Sequence, residues 1–193
     1  HRCIKIGKDN DLYLIGVVNV VDSLIARETN CGCYLNAGRE VAVASTKSFT
    51  SQCILLSMIA IWFAQIHNIN GNKRLQCVRD LRNLENDINV VLEGGENYKK
   101  ITKKLNNKNS IFILGKGYNE AIAKEGSLKI KEVTYVHAEG YSGSSLKHGP
   151  FGLLEKDFPV ILIDTCDDHY SKMNNVYEEI KSRYALVITI NNN

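Results

Sequence analysis

In the segment KEGSLKIKEVTY, Glu125, Lys129 and Glu132 fall at i, i+4 and i+7, so a helix would gather them into one polar stripe. A carboxylate with a lysine one turn away can relay a proton between neighbouring carbons, the lysine adjusting the carboxylate's proton affinity. The same spacing also describes a solvated Glu–Lys ladder, worth about 0.2–0.5 kcal/mol per pair. Further on, SSLKHGP carries His148 between Lys147 and Gly149-Pro150. An imidazole titrating near pH ~6.5 can take a proton from a hydroxyl while returning one to a ring oxygen. A loop histidine with no such task is the plainer alternative.

Two other stretches could hold a polar ligand. EVAVASTKSFT places Ser45, Thr46, Ser48 and Thr50 around a helix start, where hydroxyls and free N–H groups can bind phosphate or sugar hydroxyls. The same residues can simply cap the helix, with Ser45 or Thr46 at the N-cap. Strand-Gly115-Lys116-Gly117-helix is the second. The third glycine of a dinucleotide fingerprint would fall at Glu120, and no Gly-Lys-Ser/Thr ending follows, so the turn reads as structural.

These residues need a scaffold, and the hydrophobic pattern supplies one. LYLIGVVNV (12–20) is a continuous apolar run of the kind found in strands covered on both faces, and a short strand is expected around 33–35. The opening therefore reads as strand, turn, strand. CILLSMIAIWFA (53–64) is apolar nearly all round. It is shorter than the roughly 20 residues that span a bilayer, so it reads as a helix of a core or a subunit interface, with Cys53 a buried thiol. Leucine, valine and isoleucine at 75, 78, 81, 84, 88 and 91 predict an amphipathic helix over 73–92, and 97–105 a further short one. Strands over 111–114, 158–165 and 185–190 then alternate with helices over 119–135 and 171–183. That alternation predicts an α/β fold, a parallel sheet with helices on both faces.

On the helix over 119–135, Ile122, Gly126, Ile130, Val133 and His137 form a mainly apolar face, with His137 structural and Tyr135 and Tyr141 packing residues. HAEGYSGSSLKHGP (137–150) reads as a shaped loop leaving that helix.

Composition narrows the class. A hydrophobic content of 44% with 23% charged residues is that of an ordinary soluble domain, and a net charge of +3 with scattered lysines gives no reason to expect nucleic acid. The closest cysteine pair, Cys31-Gly-Cys33, lacks the spacing of a zinc site, so no metal and no cofactor are expected. No signal peptide is visible, which with six cysteines suggests reduced thiols in the cytoplasm. The chain starts on His1 and ends on three asparagines, and both ends look cut.

RETNCGCYLNAGREVAVASTKSFTSQ, followed much later by KEGSLKIKEVTYVHAEGYSGSSLKHGP, resembles the isomerase portion of the glutamine–fructose-6-phosphate aminotransferase family, which consists of two sugar isomerase (SIS) domains in tandem. The resemblance runs over essentially the whole chain. It implies a flavodoxin-like three-layer fold in two partial domains: 1–70 the later part of the first SIS domain, 71–101 a helical connector, and 102–193 the earlier part of the second. It implies an enzyme that makes glucosamine 6-phosphate from fructose 6-phosphate and glutamine-derived ammonia, towards UDP-N-acetylglucosamine. By position, Glu132 matches the carboxylate that moves the proton between C1 and C2, and Lys129 the lysine beside it. His148 matches the histidine of sugar ring opening, contributed across a homodimer. Val43 and Ser45 match sugar-site positions, and Glu125 a supporting glutamate.

Ser145 stands where the family has a glutamate. The glutaminase domain, the phosphate loops and the Schiff-base lysine of the family have no counterpart in these residues, so a fragment inactive by itself is expected. A non-catalytic SIS module that binds a phosphosugar and regulates a partner is the alternative, but a sensor has no need of a proton-transfer carboxylate and histidine.

Overall fold

The computed structural model describes residues 1–165 and 167–192, so Cys166 and Asn193 lie outside the described residues. The chain divides into two compact units, His1–Glu93 and Gly94–Asn193.

The first unit holds α1 (Arg2–Asp9), β1 (Ile15–Val18), α2 (Leu24–Glu28), β2 (Cys31–Tyr34), α3 (Lys47–Ile66) and α4 (Gly71–Leu92). β1 and β2 pair in parallel, Ile15 opposite Cys31 and Val18 opposite Tyr34. The expected strand, turn, strand opening is corrected by two helices. α1 precedes β1, and Ser23 caps α2 by accepting from the Ala26 N–H at 3.3 Å. Both helices are short, so neither offers the sustained 3.6-residue period that marks a helix in sequence.

α3 is longer than its apolar run, because Lys47–Gln52 and Gln65–Ile66 continue the helix at either end. At 20 residues it is long and apolar enough, by length and composition alone, to cross a membrane. Side-chain bonds tie it to its neighbours: Gln52 Nε2 donates to Val17 O of β1 at 3.5 Å, and Arg74 of α4 to Ala64 O at 2.9 Å. No α3 residue is buried among the described residues, and Cys53 is exposed rather than buried, the helix packing mainly on β1 and α4.

The second unit opens with α5 (Gly95–Leu105), followed by β3 (Ser110–Gly115), α6 (Tyr118–Thr134), β4 (His137–Ser142), β5 (Pro159–Ile163), α7 (Tyr170–Ser182) and β6 (Leu186–Ile190). The four strands form one parallel sheet in the order β4-β3-β5-β6. The two-residue period of β3 sends its side chains to opposite layers. Phe112 and Leu114 join Val160 and Leu162 against Met173, Val176 and Ile180 of α7. Ile111 and Ile113 pack on the other side with Ala123 and Ile130 of α6 and Leu105 of α5. This is the three-layer α/β arrangement expected from the alternating pattern.

β4 corrects the reading of 137–150 as loop throughout. Its first six residues pair in parallel with β3, Ser110 opposite His137 and Gly115 opposite Ser142. His137 accordingly leaves the helix face assigned to it. It is exposed on β4, its Nδ1 2.9 Å from Ser110 Oγ. Tyr135 is not a packing residue either: it terminates α6 at φ 59°, 92% exposed, in the left-handed conformation that ends many helices. Tyr141 does pack, edge-on to Phe112 at 5.3 Å.

Candidate functional site

α6 carries the polar stripe. It leaves β3 through Gly115-Lys116-Gly117 and buries Ala123 and Ser127 against the sheet, while Ile122 and Val133 of the expected apolar face stay exposed. That orientation sets Glu125, Lys129 and Glu132 along the border between buried and open surface, their side chains 21–27% exposed.

Lys129 is the centre of the array. Its Nζ donates to Glu132 Oε2 at 2.5 Å and lies 3.5 Å from Glu125 Oε1. The hydrogen bond to Glu132, reinforced by the charges of both glutamates against a smaller effect of desolvation, holds the ammonium above the ordinary lysine range. Lys129 therefore stays cationic at neutral pH. That bond engages Oε2 of Glu132. The array is a carboxylate held in place by its own ammonium.

His148 ends a 3-10 turn, Leu146–His148, whose backbone is closed by His148 N–H donating to Ser145 O at 3.0 Å. Leu146 anchors the turn in the core, and Gly149, at φ 141°, reverses the chain immediately after His148 in a conformation that side chains rarely adopt. The imidazole is exposed, and among the described residues no hydrogen bond or ion pair joins it to the Glu125–Lys129–Glu132 array.

Val43 and Ser45 lie in the first unit, just ahead of α3. Val43 is 89% exposed beside the buried Ala44, and Ser45 Oγ donates to Glu40 Oε1 at 3.4 Å. Glu40 is the residue missed in sequence. Its Oε1 accepts the Ser48 N–H at 2.8 Å, and that bond above all holds the carboxyl below its ordinary range. Of the two expected caps, Thr46 is the N-cap residue, but it makes no side-chain cap bond, and the carboxylate of Glu40 serves the helix start. An anion there is favoured by the helix dipole, and this one belongs to the protein. Ser45, Ser48 and Glu40 form a polar group that can bond sugar hydroxyls, with the negative charge already in place.

The start of α6 differs, since Gly117 at its N-cap makes no side-chain cap bond. Lys116 Nζ donates to Ser144 Oγ, and Glu120 in the first helical turn accepts from Lys124 at 2.7 Å. Among the described residues, no three or more His, Cys, Asp or Glu side chains converge as a metal site.

The second unit is thus a three-layer parallel α/β unit that carries a Glu–Lys–Glu array on the helix after its first strand. The SIS domain family matches residues 2–62 and 104–193, and the chain belongs to that family. More particular relatives are aminotransferases. The chain is 47% identical, over its whole length, to a probable glutamine–fructose-6-phosphate aminotransferase (isomerizing) of Acanthamoeba polyphaga mimivirus, of which it covers 32%. It is 40% identical over 97% of its length to the human glutamine–fructose-6-phosphate aminotransferase (isomerizing) 2, covering 27% of that protein. In structure it matches the C-terminal domain of glucosamine–fructose-6-phosphate aminotransferase from Francisella tularensis with a TM-score of 0.93, at 28% identity, over 98% of this chain and 54% of that one. The likeness seen in the two motifs therefore extends over the chain, which spans about a third of the length of these curated relatives and corresponds to part of their isomerase region.

Proposed function

We propose that this chain supplies isomerase-region groups to an enzyme that converts fructose 6-phosphate and glutamine-derived ammonia into glucosamine 6-phosphate, a step towards UDP-N-acetylglucosamine. The observation carrying this reading is the 2.5 Å bond between Lys129 and Glu132, on a partly open helix of a chain whose relatives are such aminotransferases. Glu132 takes a proton from C1 and returns it to C2, so the proton balance over the step is zero. Lys129 orients the carboxylate, and Glu125 holds Lys129 from the other side. His148 opens the sugar ring, reached from the neighbouring subunit of a homodimer. Its exposure, and the lack of any bond to the array among the described residues, support a role across an interface. Val43 and Ser45 line the sugar site.

The exposed apolar surface of α3 is read as part of a subunit or domain interface in a cytoplasmic protein, not as a membrane span. Its bonds to β1 and α4 support that choice. By itself the chain, which covers about a third of the length of its relatives, is expected to be inactive.

The test is a chimera in which residues 1–193 replace the matching segment of the mimivirus relative. Glu132→Gln should lower isomerisation by on the order of 100-fold or more while leaving sugar phosphate binding within about twofold. Unchanged isomerisation in that variant would remove Glu132 from its role.

A further inference from the structure

The turn that presents His148 rests on α7, and one contact between them is ionic. Lys147 Nζ lies 2.7 Å from Glu179 Oε1. The remaining contacts are apolar or aromatic. Leu146 is buried with Met173, Val176 and Ile180, and Arg183 lies over the Phe151 ring at 4.7 Å. We infer that Glu179 is a positioning residue for His148: through Lys147 it fixes the Leu146–His148 turn on α7 and so aims the imidazole away from its own domain. The functional part of this inference rests on the role proposed for His148 above.

Three observations carry it. Lys147 is the residue immediately before His148, so any freedom at Lys147 passes directly into the histidine's backbone. Leu146 pins the turn at its first residue, and Gly149 after it, at φ 141°, has no side chain to hold the His148 end. The ion pair adds a tether beside His148. Third, Glu179 depends on Lys147. Its Oε2 is buried and has no hydrogen-bond partner, so Lys147 supplies the compensation for this carboxylate.

The pair is asymmetric. Lys147 is 57% exposed and returns readily to water if its partner is lost, whereas Glu179 is 31% exposed with its Oε2 buried and loses more. Glu179→Gln should therefore release the turn with little effect on the domain, while Lys147→Met strands a part-buried carboxylate and destabilises α7 as well.

Amide hydrogen exchange on the 193-residue chain tests the ordering directly. The reporters are the His148 and Gly152 N–H groups, bonded to Ser145 O and Gly149 O. In Glu179→Gln both should exchange roughly tenfold faster while amides of β3 and β5 keep their protection. The reversed pair, Lys147→Glu with Glu179→Lys, should restore slow exchange. Unchanged exchange at His148, or acceleration spread evenly through the sheet, overturns the inference. In the mimivirus chimera, Glu179→Gln should lower kcat roughly tenfold with KM within about twofold, and the reversed pair should recover it. If His148→Ala abolishes activity there but Glu179→Gln does not, the positioning role fails and the reading of His148 stands. If His148→Ala keeps full activity, the reading of His148 itself fails.

Discussion

Gly140 of β4 lies directly under Lys124 of α6: a Cβ on Gly140 would fall 2.5 Å from Lys124 Cα and 2.6 Å from Ala123 O. The helix bearing Glu125, Lys129 and Glu132 thus rests on the edge strand with no side chain between them. Backbone meets backbone there, so neither partner can turn aside. Gly140→Ala should push α6 off the sheet and cost about 1–3 kcal/mol, as overpacked sites do. Urea unfolding would measure it, and a midpoint equal to that of the unsubstituted chain would contradict the close approach.

Glu40 should behave as a charged helix cap. Its carboxyl is held below the ordinary value of 4.5, chiefly by the Ser48 N–H, so its stabilisation is present above pH 4.5 and lost as pH falls through the lower folded value. Glu40→Ala should lower the melting temperature at neutral pH, and the difference from the parent chain should vanish in acid. A difference independent of pH would assign the effect to packing instead.

Asp164, just beyond β5, is expected to show the opposite sign. It is 7% exposed, its Oδ1 has no partner, and burial, with a smaller contribution from Asp167, raises its pKa above the ordinary 3.8. A carboxyl raised in the folded state makes ionisation a cost. That cost is absent below pH 3.8 and grows as pH rises through the folded value. Asp164→Asn should therefore stabilise the chain at neutral pH by on the order of 1 kcal/mol, the scale of relieving an unsatisfied buried group. The gain should fade below pH 3.8 in parallel thermal scans; a gain that persists there would point to a cause other than charge.

Leu146 joins the core to the turn carrying His148, so Leu146→Ala should do two things at once. The lost burial and residual cavity should cost about 2–5 kcal/mol. Exchange at the His148 N–H should also rise more than in the β3 amides. Destabilisation without that local excess would mean that the turn keeps its shape without its apolar anchor.

Much of the second unit could be read in the residues. β3 and β5 are short runs of Ile, Leu, Val and Phe, and α6 keeps a helical period through Glu125, Lys129 and Glu132, so strand, helix and array were all legible. β4 was not. Ala138 is its one buried residue, among His137, Glu139, Gly140, Tyr141 and Ser142, and an edge strand of such composition has the pattern of a loop. What makes it a strand is the ladder to β3, a pairing with residues 27 positions earlier in the chain. Glu40 was invisible for a similar reason: it reaches Ser48 across a bend, and local capping rules look only at residues adjoining the helix.

The sequence by itself determined the parallel α/β class, the two motifs that place the chain among the SIS domains, and the order of Glu125, Lys129 and Glu132 along one helical stripe. These are properties of period and spacing, set within a few residues of each atom involved. Only the tertiary structure decided that Lys129 binds Glu132 at 2.5 Å and lies 3.5 Å from Glu125, that Glu40 takes over the start of α3, and that His148 projects from a turn braced by Glu179. Each depends on side-chain rotamers or on elements far apart in the chain meeting in space, and a hydrophobic period carries no information about where such groups meet.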